Sequence, residues 1–295
     1  MPIDIPAALS FMAGHARLLD RRRLELLLGA GDRAAVLSAL DAYRNPDGGY
    51  GWGIEPDLRA GESQPSGALH AFEVLGDIAP VCSPRAAELC DWLGSTSLPD
   101  GGLAFALPVG DAAAVAPFWA GADPAVSSLQ ITAYVAAAAQ RVAAFDPAVA
   151  QHAWTARATR YCIAAIAAID AAPHALVVNA SLALLDAVHD TQAEAPALLR
   201  RLGELIPADG RLHVGGGAED EFIRPLDLAP SPDRPVRELL RPDVIERDIE
   251  RLAGEQRDDG GWPVDFASYS PAARLEWRGY ATVRALDVLT HNGAG

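Results

Sequence analysis

Apolar residues recur along the chain at three- and four-residue spacings, in two alternating styles. In the first, DRAAVLSALDAYR (32–44), PALLRRLGEL (196–205) and PDVIERDIERLAGEQ (242–256) each set an apolar stripe opposite acids and arginines. Such segments form helices with one face in water. In the second, SGALHAFEVL (66–75), SSLQITAYVAAAA (127–139), HALVVNASLALLDAV (174–188) and GYATVRALDVL (279–289) are small and apolar on nearly every side. A helix of that kind is buried on most faces. Ser83-Pro84 and Asp146-Pro147 mark helix starts, each an N-cap residue followed by proline at the first helical position.

Four Asp-Gly turns punctuate the helices: Asp47-Gly48-Gly49, Asp100-Gly101-Gly102, Asp209-Gly210 and Asp259-Gly260-Gly261. Successive turns lie 53, 109 and 50 residues apart, so the unit is about fifty residues and one turn is missing in the middle. Glycine supplies the positive φ that ends a helix, and Asp caps such turns. Tyr50, Trp52, Trp262 and Phe266 follow two of the turns where a loop is ordinarily polar, which points to turns packed between neighbouring repeats. Helix pairs then run at about 6–29, 32–76, 83–143, 146–189, 194–241 and 243–291.

Six pairs that alternate half-wet and fully buried helices predict an all-α fold, an (α/α)6 toroid of two concentric rings around a central cavity. The whole of 1–295 forms one domain on this reading. Residues 215–242, rich in Gly, Pro and charge, break the repeat. They are either a mobile lid over the cavity mouth or locally disordered.

Charge narrows the partners. All 24 basic residues are arginine, against 39 acids, for a net charge of -15. A surface so acidic argues against nucleic acid and anionic membranes, and an anionic ligand needs a local arginine cluster. Cys82, Cys90 and Cys162 form no CxxC and lie in helical segments, against a disulfide framework or a closed zinc site. A reducing cytoplasm fits that usage. The basic run of MPIDIPAALSFMAGHARLLDRRR follows its short apolar stretch, the reverse of a signal peptide, and no uncharged run has the length of a membrane span.

Two stretches carry a family resemblance: NPDGGYGWG (45–53) followed by SQPSGALHAFEVL, and QRDDGGWPVDF (256–266) followed by EWRGYATVRALDVL. They resemble the terpene cyclase and protein prenyltransferase superfamily of α/α toroids, in particular its small single-domain bacterial members. The likeness weakens around LPDGGLAF (98–105) and is faint at ADGRLHVGG (208–216). The resemblance implies a cavity for an isoprenoid or other apolar small molecule, which can bear a diphosphate. The DxDD acid of that superfamily's acid-initiated cyclases is missing from this chain. So is the cysteine that its zinc-dependent prenyltransferases place before an inner helix, and the zinc-binding Cys-His pair of the lanthionine cyclases. No metal and no cofactor is expected.

If the toroid holds, the segments joining turns to inner helices lie at one cavity mouth, where helix N-termini favour anions. Arg59, Arg224, Arg274 and Arg278 come from three units there and either clamp a diphosphate or carboxylate or pair with Glu55, Asp57, Glu62 and Glu276. Glu55 and Asp57 flank Pro56, whose stiff extended backbone turns both carboxylates the same way. Sharing a site would raise one pKa and make a proton donor, and the alternative is capping or a pair with Arg59. Gln64 either holds a ligand or caps a helix. Trp52 and Asp265 join the candidate site, and Trp277 and Tyr280 either line an apolar cavity and face a carbocation or are core residues. His70 and Asn179 on buried helices are either ligand contacts or satisfied core residues.

Three functions fit: an enzyme with Glu55 and Asp57 as acid and base, a non-catalytic toroid that binds a ligand or a protein, and a glycan-active toroid using the same carboxylates.

Overall fold

The computed structural model describes residues 3–294. Among them are fourteen α-helices and one two-stranded ribbon. The first unit pairs α1 (Ile5–His15) with α2 (Leu18–Leu27), and the second pairs α3 (Arg33–Leu40) with α4 (Pro65–Asp77). The third sets α5 (Pro84–Thr96) and the short α6 (Pro117–Ala120) before α7 (Leu129–Ala143), and the fourth sets α8 (Pro147–Ala150) and α9 (Ala153–Ala167) before α10 (Ala175–Ala187). In the fifth come α11 (Ala195–Gly203), β1 (Leu212–His213), β2 (Phe222–Ile223) and α12 (Pro225–Leu228), and the last holds α13 (Pro242–Gly254) and α14 (Pro271–His291).

The fold is all-α as expected, but the fifth of the six expected hairpins has no long second helix. Pro225, Pro230, Pro232 and Pro235 each lack the N–H that a helix interior needs. Only α12, a 3-10 turn at Pro235–Leu239 and the antiparallel ribbon, with Leu212 opposite Ile223, form there. Part of this segment is packed into the protein. Leu226, Leu228, Ala229 and Val236 are buried in the main core. The Asn292 amide at the end of α14 donates to the Pro230 carbonyl at 2.8 Å.

One turn geometry recurs. The Asp47, Asp100 and Asp259 carboxylates each accept the backbone N–H two residues on, at 2.9, 3.0 and 3.1 Å. Gly48, Gly101 and Gly260 take φ of 89, 98 and 91° between them, a region where side chains are strained. Each turn leans on the next unit. A Cβ on Gly48 would meet Glu88 of α5, one on Gly101 would meet Arg157 of α9, and one on Gly260 would collide with Ala7 of α1. The last turn thus rests on the first helix. Helix contacts make the same circuit: α2 packs on α4, α4 on α7 and α7 on α10, while α12 and α13 lead on to α14, which packs back on α2.

The expected starts hold in part. Asp146 caps α8 by accepting from Ala148 N–H at 3.0 Å, whereas the Ser83 hydroxyl before α5 is buried without a partner. Of the aromatics after the turns, Tyr50 and Trp262 are fully buried and Phe266 half-buried, but Trp52 is 61% exposed.

Candidate functional site

The segment after the first turn is clamped from several sides. Arg17, itself paired with the fully buried Asp20 at 2.7 Å, donates to the Ile54 carbonyl at 2.8 Å. Beyond it, Glu55 and Asp57 are both buried, and their carboxylates take different partners. One oxygen of Glu55 accepts the Asp57 backbone N–H at 3.1 Å. The Asp57 carboxylate accepts from the Tyr269 N–H and the Trp277 indole, both at 2.8 Å. Burial pushes the Asp57 carboxyl up, those two donors pull against it, and the charge of Glu55 contributes least. Asp57 ties the first repeat turn to the last unit.

The second oxygen of Glu55 faces His70. That ring on α4 bridges two carboxylates, with Nε2 3.3 Å from Glu55 and Nδ1 3.0 Å from Glu73. Glu73 in turn accepts from the Tyr280 hydroxyl of α14 at 3.0 Å. Trp277 and Tyr280 set ring edges against the imidazole, with centroids 5.8 and 5.4 Å away. Burial alone would discharge the ring, but the Coulomb attraction of Glu73 and the hydrogen bonds to both carboxylates outweigh it and lift the His70 pKa to about 9. Burial likewise works against ionised Glu73, and His70, Arg23 and the Tyr280 hydroxyl overcome it, holding Glu73 at about 2. His70 is therefore an imidazolium at neutral pH, the centre of a chain Glu55–His70–Glu73–Tyr280.

Around this chain the neighbouring helices carry further charged and phenolic side chains. His70, Glu73 and Asp77 stand on one side of α4, Tyr134 and Arg141 two turns apart on α7, and Trp277, Tyr280, Arg284 and Asp287 in a row along α14. Arg141 and Arg284 are exposed to water, yet burial is the largest influence on each. Asp77 is the same. Together they form one charged cluster among α2, α4, α7 and α14. Most of its charges are paired: Arg23 with Asp77 at 2.6 Å, Arg284 with Asp227 at 3.2 Å, and Arg234 with Asp186 at 2.9 Å.

The four arginines expected as a clamp are not gathered on one centre. Arg59 pairs with Glu276, Arg224 with Asp265 at 3.3 Å, and Arg278 with Asp259 at 2.7 Å, while Arg274 is exposed. Burial raises the Asp265 carboxyl, with Arg224 opposing. Gln64 forms a two-way bond to the backbone of Leu107, at 3.1 and 2.8 Å. Asn179 is buried on α10. Trp52 takes φ 57° and donates its indole N–H to Asn45 at 2.8 Å. It overhangs a separate surface cleft of about 950 Å3, shared with Arg59, Glu62, Trp92 and Asp111. Of the candidates, Glu55, Trp277 and Tyr280 meet at the His70 network and Asp57 borders it through Trp277; the others do not.

Sequence reasoning missed Glu73, Tyr134, Arg141 and Arg284. Their signal was a charged or phenolic residue repeating at helical spacing on an otherwise apolar helix.

Compared with known proteins, the chain matches no family model and no curated protein. Among the described residues, no group of three His, Cys, Asp or Glu side chains is placed to hold a metal ion. The carboxylates flanking His70 sit at opposite ring nitrogens and cannot converge on one cation. Nor, among these residues, is any helix long and apolar enough to cross a membrane.

Proposed function

We propose that the chain is an α/α toroid enzyme that takes a small molecule into its central chamber and moves a proton with the Glu55–His70–Glu73–Tyr280 chain. The closed circuit of inner helices, and the last turn resting on α1, support the toroid. The observation that carries the activity is His70 held charged between two carboxylates, within a cluster of charged side chains. Strongly opposed pKa values in neighbouring groups, about 9 and about 2 here, are the arrangement that assigns acid and base roles in a site.

Glu73 and Tyr280 are the accessible end of the chain, and Glu55 is its buried end. Asp57 acts by position, fixing the Trp277 indole and the Tyr269 backbone. A chamber lined by Arg23, Glu73, Asp77, Arg141 and Arg284 suits a polar substrate better than a bare hydrocarbon, because an apolar ligand would strip water from charges it cannot replace.

A second reading keeps the isoprenoid implied by the family resemblance. Phe266, Trp277 and Tyr280 meet edge to face at 5.2 and 5.5 Å and offer apolar surface beside His70. Thermal unfolding against polar carboxylates, oligosaccharides, free isoprenoids and prenyl diphosphates separates the two. A ligand at about one hundred times its Kd adds about 2.7 kcal/mol. Stabilisation by a polar class, with chemical change of that ligand on incubation and its loss in Glu73→Gln and Glu55→Gln, is the expected result. Stabilisation by isoprenoids alone favours the second reading. A ligand recovered unchanged makes the chain a non-catalytic binding toroid, and silence across the panel defeats the chamber as a ligand site.

A further inference from the structure

The cleft beside Trp52, about 950 Å3, is walled by the first Asp-Gly turn and by the loop that follows the second, with Trp92 and Thr96 of α5 also lining it. That volume is typical of small-molecule sites. Its walls are strapped together. The Gln64 side chain bonds both ways with the Leu107 backbone at 3.1 and 2.8 Å, Glu62 accepts the Gly110 N–H at 2.8 Å, and the Arg59 backbone N–H donates to the Ala114 carbonyl at 3.2 Å.

Trp52 lines this cleft in a state that the turn does not require. The residue five after the Asp is Trp52 in the first turn, Phe105 in the second and Val264 in the last. Phe105 stacks on Trp119 with ring centroids 4.4 Å apart and Val264 is half-buried, whereas Trp52 stays 61% exposed. Among the described residues other than glycine, Trp52 alone takes a positive φ. Such conformations gather at ligand clamps, where the surrounding structure holds the backbone against its preference. The ring is fixed nonetheless. Asn45 accepts its indole N–H at 2.8 Å and donates its own amide to the Gly61 carbonyl at 2.8 Å and the Ser63 hydroxyl at 2.9 Å. A Cβ on Gly61 would meet the six-membered ring at 3.3 to 3.5 Å. Packing on Gly61 alone would account for a covered ring, not for one mostly in water. A rigid, open aromatic surface inside a cleft is a stacking platform that needs no ordering when a ligand arrives.

The polar groups nearby call for both kinds of hydrogen-bond partner. Glu62 and Asp111 each give one carboxylate oxygen to a backbone N–H, of Gly110 and Ala113, and among the described residues neither pairs with a cation. An adjoining cavity of about 240 Å3 shares Leu107 and Pro108 with the cleft and is lined by Trp119, whose buried indole N–H has no acceptor among the described residues. A buried donor left unpartnered in a native protein calls for an explanation. Carboxylates need donors, the indole needs an acceptor, and a hydroxyl is both. A quaternary ammonium is held by several aromatic faces, but Trp92, the second tryptophan of the cleft, is buried with its N–H on Asp47 at 3.1 Å. An anion meets Asp47, Glu62 and Asp111 against a single Arg59 that Glu276 already holds.

We infer that this cleft binds a carbohydrate, with one pyranose ring stacked on Trp52, its hydroxyls donating to Glu62 and Asp111, and a neighbouring unit reaching the Trp119 indole. No residue of the His70 proton chain lines the cleft, so the two sites stand or fall separately.

The experiment titrates full-length wild type, Trp52→Ala, Trp52→Gly, Glu62→Gln, Asp111→Asn and Glu73→Gln with four-unit oligomers of α-glucan, β-glucan and chitin, and with choline, read by tryptophan emission and calorimetry. At least one oligosaccharide binds wild type saturably and choline does not. Trp52→Ala and Trp52→Gly weaken that binding about tenfold or more, Glu62→Gln and Asp111→Asn about fivefold each, and Glu73→Gln leaves it unchanged. Trp52→Gly, whose residue suits the positive φ, melts close to wild type and so separates lost binding from lost folding. The inference is overturned if no oligosaccharide binds, if only choline binds, or if Trp52→Ala binds as tightly as wild type. Binding that Glu73→Gln abolishes and Trp52→Ala spares belongs to the His70 site, and it too overturns the cleft. A Trp52→Gly protein that melts far below wild type, with no oligosaccharide bound even by wild type, makes the ring a packing residue only.

Discussion

The Asp-Gly turns and the charged cluster around His70 are made of the same residues, acids beside arginines and hydroxyls, and use them in opposite ways. At a turn the acid is spent locally. Asp47 caps its own loop and receives the Ser63 hydroxyl at 2.8 Å, Asp100 receives Ser127 at 2.7 Å, and Asp259 takes Arg278 in the same place. In the cluster most partners come from distant units, and the sum does not close: Glu73 serves both His70 and Tyr280, while among the described residues Arg141 serves none. Charges answered by their neighbours along the repeat hold a shape. Charges left over where several units converge are available for chemistry.

The largest test of that contrast lies in the turns. Gly260→Ala puts a Cβ onto the backbone of α1 at φ 91° and should cost about 4 kcal/mol or prevent folding. Gly216→Ala, at φ 81° with open space around it, should cost only about 1 kcal/mol. Equal losses in urea denaturation would mean that closure of the last turn on the first helix contributes nothing.

The His70 cluster should show itself in pH. The His70 pKa is raised from 6.5 to about 9, so its contribution to stability is complete below pH 6.5 and disappears as pH rises through 9. Glu73 is depressed from 4.5 to about 2, so its contribution is complete above pH 4.5 and fades as pH falls through 2. Both shifts report one ion pair, worth about 3 kcal/mol and counted once. Urea midpoints should therefore be level between about pH 4.5 and 6.5 and fall on either side, and His70→Gln should remove the alkaline fall. A wild-type profile level from pH 6.5 to 9 would show a neutral ring.

Smallest is a pair outside both regions. Arg85 holds Asp41 at 2.6 Å on the surface, and Arg85→Ala should cost less than about 1 kcal/mol, with the loss vanishing in high salt. A larger, salt-insensitive loss would place that pair among the structural ones.

The repeat was readable because its causes are local. The Asp and the two glycines of NPDGGYG and QRDDGGW dictate the turn wherever they occur, and helix style follows from residues three and four apart. The fifth unit was misread because about fifty residues of correct length hide a run of prolines that forbids its second helix. Glu55 and Asp57 were found, but their relation was not: a stiff extended segment says which way carboxylates start, not that Trp277 will take one and His70 the other. His70 was weighed and Glu73 overlooked, although GALHAFEVL sets them one turn apart on a helix with no other charge before Asp77.

The sequence by itself determined an all-helical chain, its unit length and its turns, since each depends on spacing within a few residues. Only the tertiary structure decided which charges are neutralised. Trp277 reaches Asp57 across 220 residues, and Tyr280 reaches Glu73 across 207. Partners that far apart meet only after the helices pack around a common interior, and the strength of a charge depends on that interior far more than on the residue that bears it.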